Sequence, residues 1–162
     1  MPANPTFVRA LLPAELPEVL RIDGIVFGEE DSIPEELWKA PNIETYWVLV
    51  NGEKAGLVAV ALDETVPATI DAEAVPEEGT VYVFTVDILP DFQGRGLGTA
   101  AIRWMGEEAP YIEGRTSIVS TIRSSREAYI EAHVRAGWKR NGTIPGFFSG
   151  PSEDAVIIRK IF

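Results

Sequence analysis

The sequence has no cysteine and only one histidine among its 162 residues. Without cysteine the chain can form neither a disulfide nor a thiol nucleophile, and a single histidine leaves no recognisable zinc site. We therefore expect no metal, and the lack of disulfides favours a cytoplasmic protein. The uncharged apolar runs also stay well below the ~18 residues that a membrane span requires. These absences exclude thiol chemistry and predict a chain without a membrane partner.

Basic residues are scarce, because 14 Lys and Arg stand against 25 Asp and Glu, which gives a net charge of −11. Such a charge argues against a nucleic-acid partner or an anionic membrane. Residues 1–90 hold 4 basic and 17 acidic residues, whereas residues 91–140 hold 8 and 6. The first region thus suits a cationic ligand and the second an anionic one. An acidic surface that only maintains solubility is the alternative interpretation.

Hydrophobic spacing and turn signals predict alternating strands and helices in a single domain that covers residues 1–162. Strands are expected at Thr6–Ala10, Tyr46–Val50, Gly56–Leu62, Val81–Leu89, Ser117–Ile122 and Ala155–Phe162, with a further candidate at Gly142–Phe148. Helices are expected at 14–23, Gly98–Glu108 and Glu127–Ala136, with a helical turn at Pro34–Lys39. Loops are expected at the acidic stretch 28–36, at the Asn51–Gly52 hairpin and at 63–79. This order predicts an α/β or α+β layered domain with a mixed sheet.

The stretch DILPDFQGRGLGTAAIRWM, from Asp87 to Met105, places three glycines between an apolar run and a predicted helix. Glycine lets the backbone approach a ligand closely, and a helix start directs unpaired N–H groups and a positive dipole end at one point. These features predict a phosphate-binding loop, with a tight ligand-free turn as the alternative. An ATP-binding P-loop requires a Lys directly after its glycines, and this loop has none. A dinucleotide-binding loop requires a last glycine at the position where this chain has Thr99, so both patterns fit poorly.

A third pattern, Q/R-x-x-G-x-G/A behind a strand that ends in proline, is filled by Gln93, Gly96 and Gly98. The stretch resembles the acetyl-CoA loop of the GCN5-related N-acetyltransferase (GNAT) superfamily. That resemblance implies a mixed, mostly antiparallel sheet of six to seven strands with about four helices, splayed at strands 4 and 5. It also implies acetyl-CoA as co-substrate, with the pantetheine beside the main chain near Val86 and Ile88. The residues implied in pyrophosphate binding are Gln93 and the amides of Gly94, Arg95, Gly96, Leu97, Gly98 and Thr99.

A second resemblance covers REAYIEAHVRAGW at 126–138, which is similar to a later GNAT motif, N-x-x-A-x-x-L-Y-x-K-x-G-F. By this likeness Arg126 and Tyr129 stand at cofactor-contacting positions. His133 stands where the family has a tyrosine that reprotonates the CoA thiolate. Imidazole exists in both protonation forms near neutral pH, so it suits that role. A histidine that merely packs on an apolar helix face is the alternative.

The acceptor amine must lose a proton before it attacks, and the strand at 81–89 offers two candidates for assisting this step. Tyr82 stands roughly where relatives place a Glu or Tyr in this role. Asp87 is the only carboxylate on the strand, and alternation puts it on the opposite face, with Val83 and Thr85. The competing interpretations are a core aromatic for Tyr82 and a strand-end acid for Asp87.

The tail GFFSGPSEDAVIIRK at 146–160 resembles the ending of GNAT enzymes that acetylate protein N-terminal amines, including the ribosomal-protein alanine type. The expected function is acetyl transfer from acetyl-CoA directly to a primary amine, on a small molecule or a peptide N-terminus, within a ternary complex. The oligomeric state is not readable from the sequence, and a homodimer is one option because dimers are common among such proteins. Two alternatives remain: a non-catalytic acyl-CoA-binding sensor or interaction domain, and a nucleotide-binding module with an atypical glycine loop.

Overall fold

A computed structural model of the chain describes residues 4–62, 79–149 and 151–162. In this part of the chain, strands and helices alternate much as the sequence predicts. The strands are β1 (Thr6–Arg9), β2 (Ile43–Val50), β3 (Glu53–Leu62), β4 (Thr80–Ile88), β5 (Ser117–Arg123), β6 (Lys139–Phe148) and β7 (Glu153–Ile161). The helices are α1 (Leu16–Asp31), α2 (Glu35–Trp38), α3 (Leu97–Glu107) and α4 (Glu127–Arg135).

The strands form a seven-stranded sheet in the order β1-β2-β3-β4-β5-β7-β6. The pairs β1–β2, β2–β3, β5–β7 and β6–β7 are antiparallel, and β4 pairs with β5 in parallel. The parallel pairing is short, because it joins only Thr80–Tyr82 to Ser117–Val119. This confirms the predicted mixed, mostly antiparallel sheet with about four helices. It also confirms the predicted splay at strands 4 and 5, which pair only at their first three residues.

The chain divides into two compact units, of which the first comprises Met1–Ala61 and Phe84–Ala101. Its helix α1 buries an apolar stripe that includes Leu16, Val19 and Ile22. In α2, Trp38 is 1% exposed and meets Phe84 of β4 edge-on, with 5.6 Å between ring centroids. Large apolar side chains therefore anchor both helices within this unit.

The second unit comprises Leu62–Val83 and Ile102–Phe162. Its core includes Ile102 and Met105 of α3, Ile130 of α4 and Trp138, which follows α4. In this unit β5 pairs along its whole length with β7, from Ser117↔Ile161 to Arg123↔Ala155. None of the helices in the described part of the chain combines the length and apolarity that crossing a membrane requires.

Helix α1 is longer than the sequence predicts, because it continues through Gly28 to Asp31. The prediction of a loop over 28–36 was therefore wrong for its first four residues. Gly28 has φ 78° and ψ 166°, so the helix breaks there and one further turn follows the break. The predicted helix ends at residue 23, whereas the observed helix continues past it and the positive φ of Gly28 produces a kink within it. The loop predicted over 63–79 lies, except for Gly79, outside the described residues.

Five strands begin earlier than predicted, by three residues each in β2, β3 and β6, which start at Ile43, Glu53 and Lys139, and by one or two residues in β4 and β7. Polar residues at these strand starts obscure the apolar signal, although their backbones pair in the sheet. The predicted hairpin turn is confirmed. Asn51 and Gly52 both have positive φ, 52° and 78°, as a two-residue turn between antiparallel strands requires.

Candidate active site

The glycine loop follows β4 in the first unit and leads directly into α3. A short 3-10 helix at Pro90–Phe92 precedes it. Gly94 and Gly96 have φ values of 76° and 78°, in the left-handed region that favours glycine. Gly98 lies in the first turn of α3, and a Cβ added there would meet nothing within 4 Å. The first two glycines are thus required by the backbone, while the third leaves open space above the helix start.

Six successive backbone N–H groups, from Gly94 to Thr99, find no acceptor among the residues that the structure describes. The first regular helical bond of α3 runs from the N–H of Ala100 to the carbonyl of Gly96, at 3.0 Å. Unpaired N–H groups and the positive end of the helix dipole together favour an anion at this point. The arrangement is therefore chemically suited to a phosphate or pyrophosphate group.

The side chains of the loop are used to fix it in place. The Gln93 side-chain amide donates to the carbonyl oxygen of Ile88, at 3.1 Å. The Arg95 guanidinium donates to the carbonyl oxygen of Asp91, at 3.1 Å, and lies 5.0 Å from the Phe92 ring centroid. Such bonds leave the backbone, rather than these side chains, as the part of the loop that is available to a ligand.

The loop is also anchored in the core of the first unit. Leu97 is 2% exposed and packs with Val50 and Ala55, against which the partly buried Ile88 and Phe92 also lie. Val86 and Ile88 are both half-buried on one face of β4, as alternation predicts. The structure thus places Ile88 beside the loop, in contact with Gln93 and in the same cluster as Leu97.

His133 lies in the second unit with Arg126 and Tyr129, all on α4 or at its start. Its ring is fully buried and meets Tyr129 and Trp138 edge-on, at centroid distances of 4.7 and 4.9 Å. The Nδ1–H donates to the Tyr129 carbonyl oxygen at 2.8 Å, which leaves Nε2 without a partner among the described residues. Burial lowers the pKa of the His133 imidazole, so the neutral ring is favoured and Nε2 is its proton-accepting atom.

Tyr82 is 2% exposed, also in the second unit, and its hydroxyl donates to Thr121 Oγ1 at 3.4 Å. Thr121 lies on β5, the strand with which β4 pairs in parallel. Arg126 is exposed, and its guanidinium carbon lies 4.3 Å from the Tyr129 ring centroid. Tyr82 and His133 are therefore both interior groups, each with a defined hydrogen-bond partner.

The turn between β6 and β7 is organised by Arg123, whose importance the sequence did not indicate. Its guanidinium donates to the carbonyl oxygens of Ser149 and Pro151, at 3.2 Å each, and pairs with Glu153 at 3.4 Å. It also lies 4.6 Å from the ring centroid of Phe148. Arg123 thus holds the segment that bears the two aromatic residues of the tail.

Asp87 is fully buried in the first unit, beside a partner that was not predicted from the sequence. The partner is Asp23 of α1, which is also fully buried. Burial, together with a hydrogen bond to Asp23, raises the pKa of Asp87 to about 8. The available signal was the position of Asp23 on the apolar stripe of α1, where an unpaired acid would be costly.

The Acetyltransferase (GNAT) family profile matches residues 14–138, which include the glycine loop and α4. The chain belongs to the GNAT acetyltransferase family. This match confirms the predicted family and the predicted acetyltransferase activity. A search of curated protein sequences gives no significant match.

Solved structures share the fold of this GNAT chain across nearly its whole length. The ribosomal-protein-S18-alanine N-acetyltransferase of Escherichia coli has a TM-score of 0.74 at 18% identity, covering 98% of this chain and 94% of that one. Arabidopsis thaliana NAA60 in complex with acetyl-CoA has 0.74 at 16%, covering 98% and 100%. The spermidine/spermine N-acetyltransferase SpeG of Vibrio cholerae has 0.70 at 15%, covering 97% and 92%. The predicted co-substrate, acetyl-CoA, is thus bound by a protein of the same fold.

Proposed function

We propose that this GNAT protein transfers the acetyl group of acetyl-CoA directly to a primary amine, on a small molecule or a peptide N-terminus, within a ternary complex. The observation that carries the proposal is the run of six unpaired N–H groups from Gly94 to Thr99. A pyrophosphate offers several anionic oxygens, so it can accept from successive groups of such a run. The loop side chains are already engaged, which leaves the backbone to bind the cofactor.

The absence of cysteine makes direct attack of the amine on the thioester the simple route. A covalent acetyl-enzyme needs a nucleophile, and the sequence contains no cysteine to supply a thiolate. The amine can instead attack the thioester carbon itself, forming the amide bond while CoA leaves as the thiolate. This reaction requires both substrates to be bound at once, and it predicts intersecting initial-velocity lines.

The acceptor class is proposed from the β6–β7 segment in the second unit. Phe147 and Phe148 are half-buried at the end of β6, and Arg123 fixes the turn that follows them. Glu153 accepts from the backbone N–H of Ser125 at 2.6 Å, so it fastens the same turn. Two aromatic rings beside a turn that is held in place by hydrogen bonds are suited to bind a peptide N-terminal amine or an aliphatic amine. Similarity in fold to N-terminal and polyamine acetyltransferases makes peptide N-termini and polyamines the first acceptors to test.

Thiol release from acetyl-CoA should therefore occur with some amines and not with their blocked forms. The absence of cysteine makes a thiol reagent specific for the released CoA. The panel contains peptides with free N-termini, spermidine, amino sugars and amino acids. N-acetylated peptides of the same sequences are the matched controls, because their N-terminal nitrogen is an amide whose delocalised lone pair does not attack the thioester. We expect saturable release with at least one free amine and none with its blocked form.

Two outcomes would contradict the proposal in different ways. Thermal stabilisation by acetyl-CoA, without thiol release for any amine, would favour the non-catalytic acyl-CoA-binding alternative. Stabilisation by ATP or NAD but not by acetyl-CoA would favour the nucleotide-binding alternative. Parallel initial-velocity lines would contradict direct transfer alone.

Tyr82→Phe is expected to lower kcat and to shift the pH–rate profile if its hydroxyl assists deprotonation of the amine. General acid–base assistance of this kind typically contributes about 100-fold or more. The substitution also removes the hydrogen bond to Thr121, so the structural and chemical effects must be separated. Steady-state kinetics across pH measures both quantities.

Thr121→Val is the matched control for Tyr82→Phe. It breaks the same hydrogen bond from the other side but leaves the phenol in place. If Tyr82 takes part in the chemistry, only Tyr82→Phe changes the pH profile. Equal changes in both variants would assign Tyr82 a structural role instead.

His133 remains a prediction as the acid that reprotonates the thiolate. Its Nδ1–H is committed to the Tyr129 carbonyl, and burial lowers its pKa, so Nε2 must take up a proton before His133 can act as this acid. Because the ring is fully buried, His133→Ala also leaves a cavity, and the variant is informative only where it keeps its fold. The cytoplasmic location and the homodimer likewise stay predictions.

A further inference from the structure

Two carboxyl groups meet in the interior of the first unit, and both side chains are 0% exposed. Each carboxyl group accepts a hydrogen bond with one of its two oxygens. Asp23 Oδ2 accepts from the backbone N–H of Ile33 at 2.7 Å, and Asp87 Oδ1 accepts from the Thr85 hydroxyl at 2.5 Å. The remaining oxygens, Asp23 Oδ1 and Asp87 Oδ2, find no donor side chain among the described residues. Each carboxyl group thus buries one oxygen that has no hydrogen-bond donor among the described residues.

The side chain of Asp23 raises the pKa of Asp87 as a hydrogen-bonding neighbour does, and a hydrogen bond between two carboxyl groups requires a proton. Two ionised carboxylates are acceptors only, so they repel each other, and burial strengthens the repulsion. With one proton, Asp87 can donate to Asp23 and every buried oxygen gains a partner. Burial and this bond raise the pKa of Asp87 to about 8, which keeps the proton in place at neutral pH.

No cation compensates the pair among the described residues that act on Asp87. The electrostatic influences on it come from Asp23 and Thr85. Arg21 of α1 is instead paired with Glu18 at 2.9 Å, and Lys54 of β3 with Glu15 at 3.5 Å. The charge of the pair is therefore set by its own protonation.

The pair joins the two segments that lead to the cofactor loop and to α2. Asp87 directly precedes Ile88, whose carbonyl oxygen accepts from Gln93 of the loop. Asp23 holds the backbone N–H of Ile33, just before α2. One proton thus connects α1 and the segment at Ile33 to the end of β4.

We propose that Asp23 and Asp87 share one proton that positions the end of β4 for acetyl-CoA binding, and that losing it at mildly alkaline pH weakens that binding. The inference rests on the proposed function for its cofactor. Both are positioning residues, because they are buried and act through Ile88 and Gln93. Loss of the proton leaves two facing negative charges in the interior, which separates α1 from β4 and releases the loop.

Asp87→Asn supplies the decisive variant, because its amide N–H replaces the shared proton permanently while the side chain keeps its shape. We measure the Kd of acetyl-CoA by calorimetry from about pH 7 to pH 9.5, a range that brackets the expected titration. The wild type should lose affinity by at least about tenfold across this range, and Asp87→Asn should change by no more than about threefold. Acetyl-CoA is used because it has no free thiol to titrate.

Asp91→Asn is the control, since Asp91 is an exposed carboxylate that adjoins the same loop. Its pH profile should follow the wild type. An Asp87→Asn profile that also follows the wild type would overturn the proposal, as would an unchanged wild-type affinity across the range. Asp23→Asn should flatten the profile in the same way as Asp87→Asn.

Unfolding by denaturant gives a second readout that needs no cofactor. The pKa of Asp87 is raised from 3.8 in the unfolded chain to about 8 in the folded one. Its stabilising contribution is thus full below the unfolded pKa and is lost as the pH rises towards about 8. Between these two pKa values, the equilibrium constant for folding of the wild type should fall by up to about tenfold per pH unit relative to that of Asp87→Asn. Equal slopes would overturn the shared proton. Different slopes without acetyl-CoA binding would contradict the proposed function instead.

Discussion

Gly56→Ala is expected to cause one of the largest losses of stability that a single methyl group can cause in this protein. A Cβ at this position would lie 2.0 Å from the carbonyl oxygen of Asp87 and 3.0 Å from the Ile88 Cα. Both neighbours are backbone atoms, so no side chain can rotate away to make room. We expect a loss of about 3 kcal/mol or more in the free energy of unfolding, the upper range for overpacking in a core.

Gly24→Ala is the matched control, because it adds the same methyl group to the same unit. Gly24 lies inside α1, and a Cβ there would meet nothing within 4 Å. Alanine is favoured over glycine in a helix interior by up to about 1 kcal/mol, so this variant should be neutral or more stable. Urea unfolding of both variants measures the difference. A Gly56→Ala protein as stable as the wild type would show that β3 and β4 do not approach so closely there.

The same contact explains why the end of β4 depends on Gly56, a residue far from it in sequence. The backbone N–H of Leu89 donates to the Ala55 carbonyl at 2.9 Å, next to Gly56. This bond continues the contact with β3 to the last residue before the 3-10 helix that precedes the loop. The small side chains of β3 therefore help to determine where β4 ends and where the glycine loop begins.

The glycine loop was the part of the candidate site that could be predicted most completely from the sequence. Its conformation depends on local requirements, since Gly94 and Gly96 adopt positive φ and α3 starts directly after them. The N–H groups assigned by resemblance, from Gly94 to Thr99, are the ones left unpaired. Local backbone rules leave a sequence signature that needs no knowledge of the rest of the fold.

Side-chain environments were less predictable, because they depend on residues distant in the chain. Asp87 could be placed on a face of its strand, but its partner Asp23 lies 64 positions earlier, on a helix. The sequence alone does not show which atom each of these buried groups faces, because that depends on how α1 and β4 are arranged in the fold. The environment of His133 was only partly predictable, since the sequence indicated the apolar helix face on which this residue lies. The bond from its Nδ1–H to the Tyr129 carbonyl was not predictable, since it depends on the ring orientation.

The ends of the strands were also predicted poorly from the sequence, and the reason is physical. At β6 the sequence signal begins at Gly142, whereas pairing with β7 begins at Lys139. In the strand order β6 is the last strand, and the side chains at 139–143 are exposed, so the strand start lacks an apolar pattern. A terminal strand can satisfy its backbone bonds on one side without burying its side chains.

Gly96→Ala is expected to weaken acetyl-CoA binding strongly, although alanine is the smallest possible change. Gly96 has φ 78°, and its carbonyl accepts the first helical hydrogen bond of α3. An alanine is strained at this φ by about 1–2 kcal/mol, so the loop relaxes and its N–H groups turn away from the pyrophosphate. Loss of one or two charge-assisted bonds, worth about 1.5–3 kcal/mol each, predicts an affinity lower by at least about tenfold.

Gly114→Ala separates this loss of binding from the strain itself. Gly114 has φ 81° in a turn of the second unit, and a Cβ there would meet nothing within 4 Å. Both variants should therefore lose a similar free energy of unfolding, about 1–2 kcal/mol, while only Gly96→Ala loses affinity for acetyl-CoA by calorimetry. Equal affinities would mean that the loop backbone does not bind the cofactor. A loss confined to Gly96→Ala ties recognition of the pyrophosphate to the backbone conformation of a single residue.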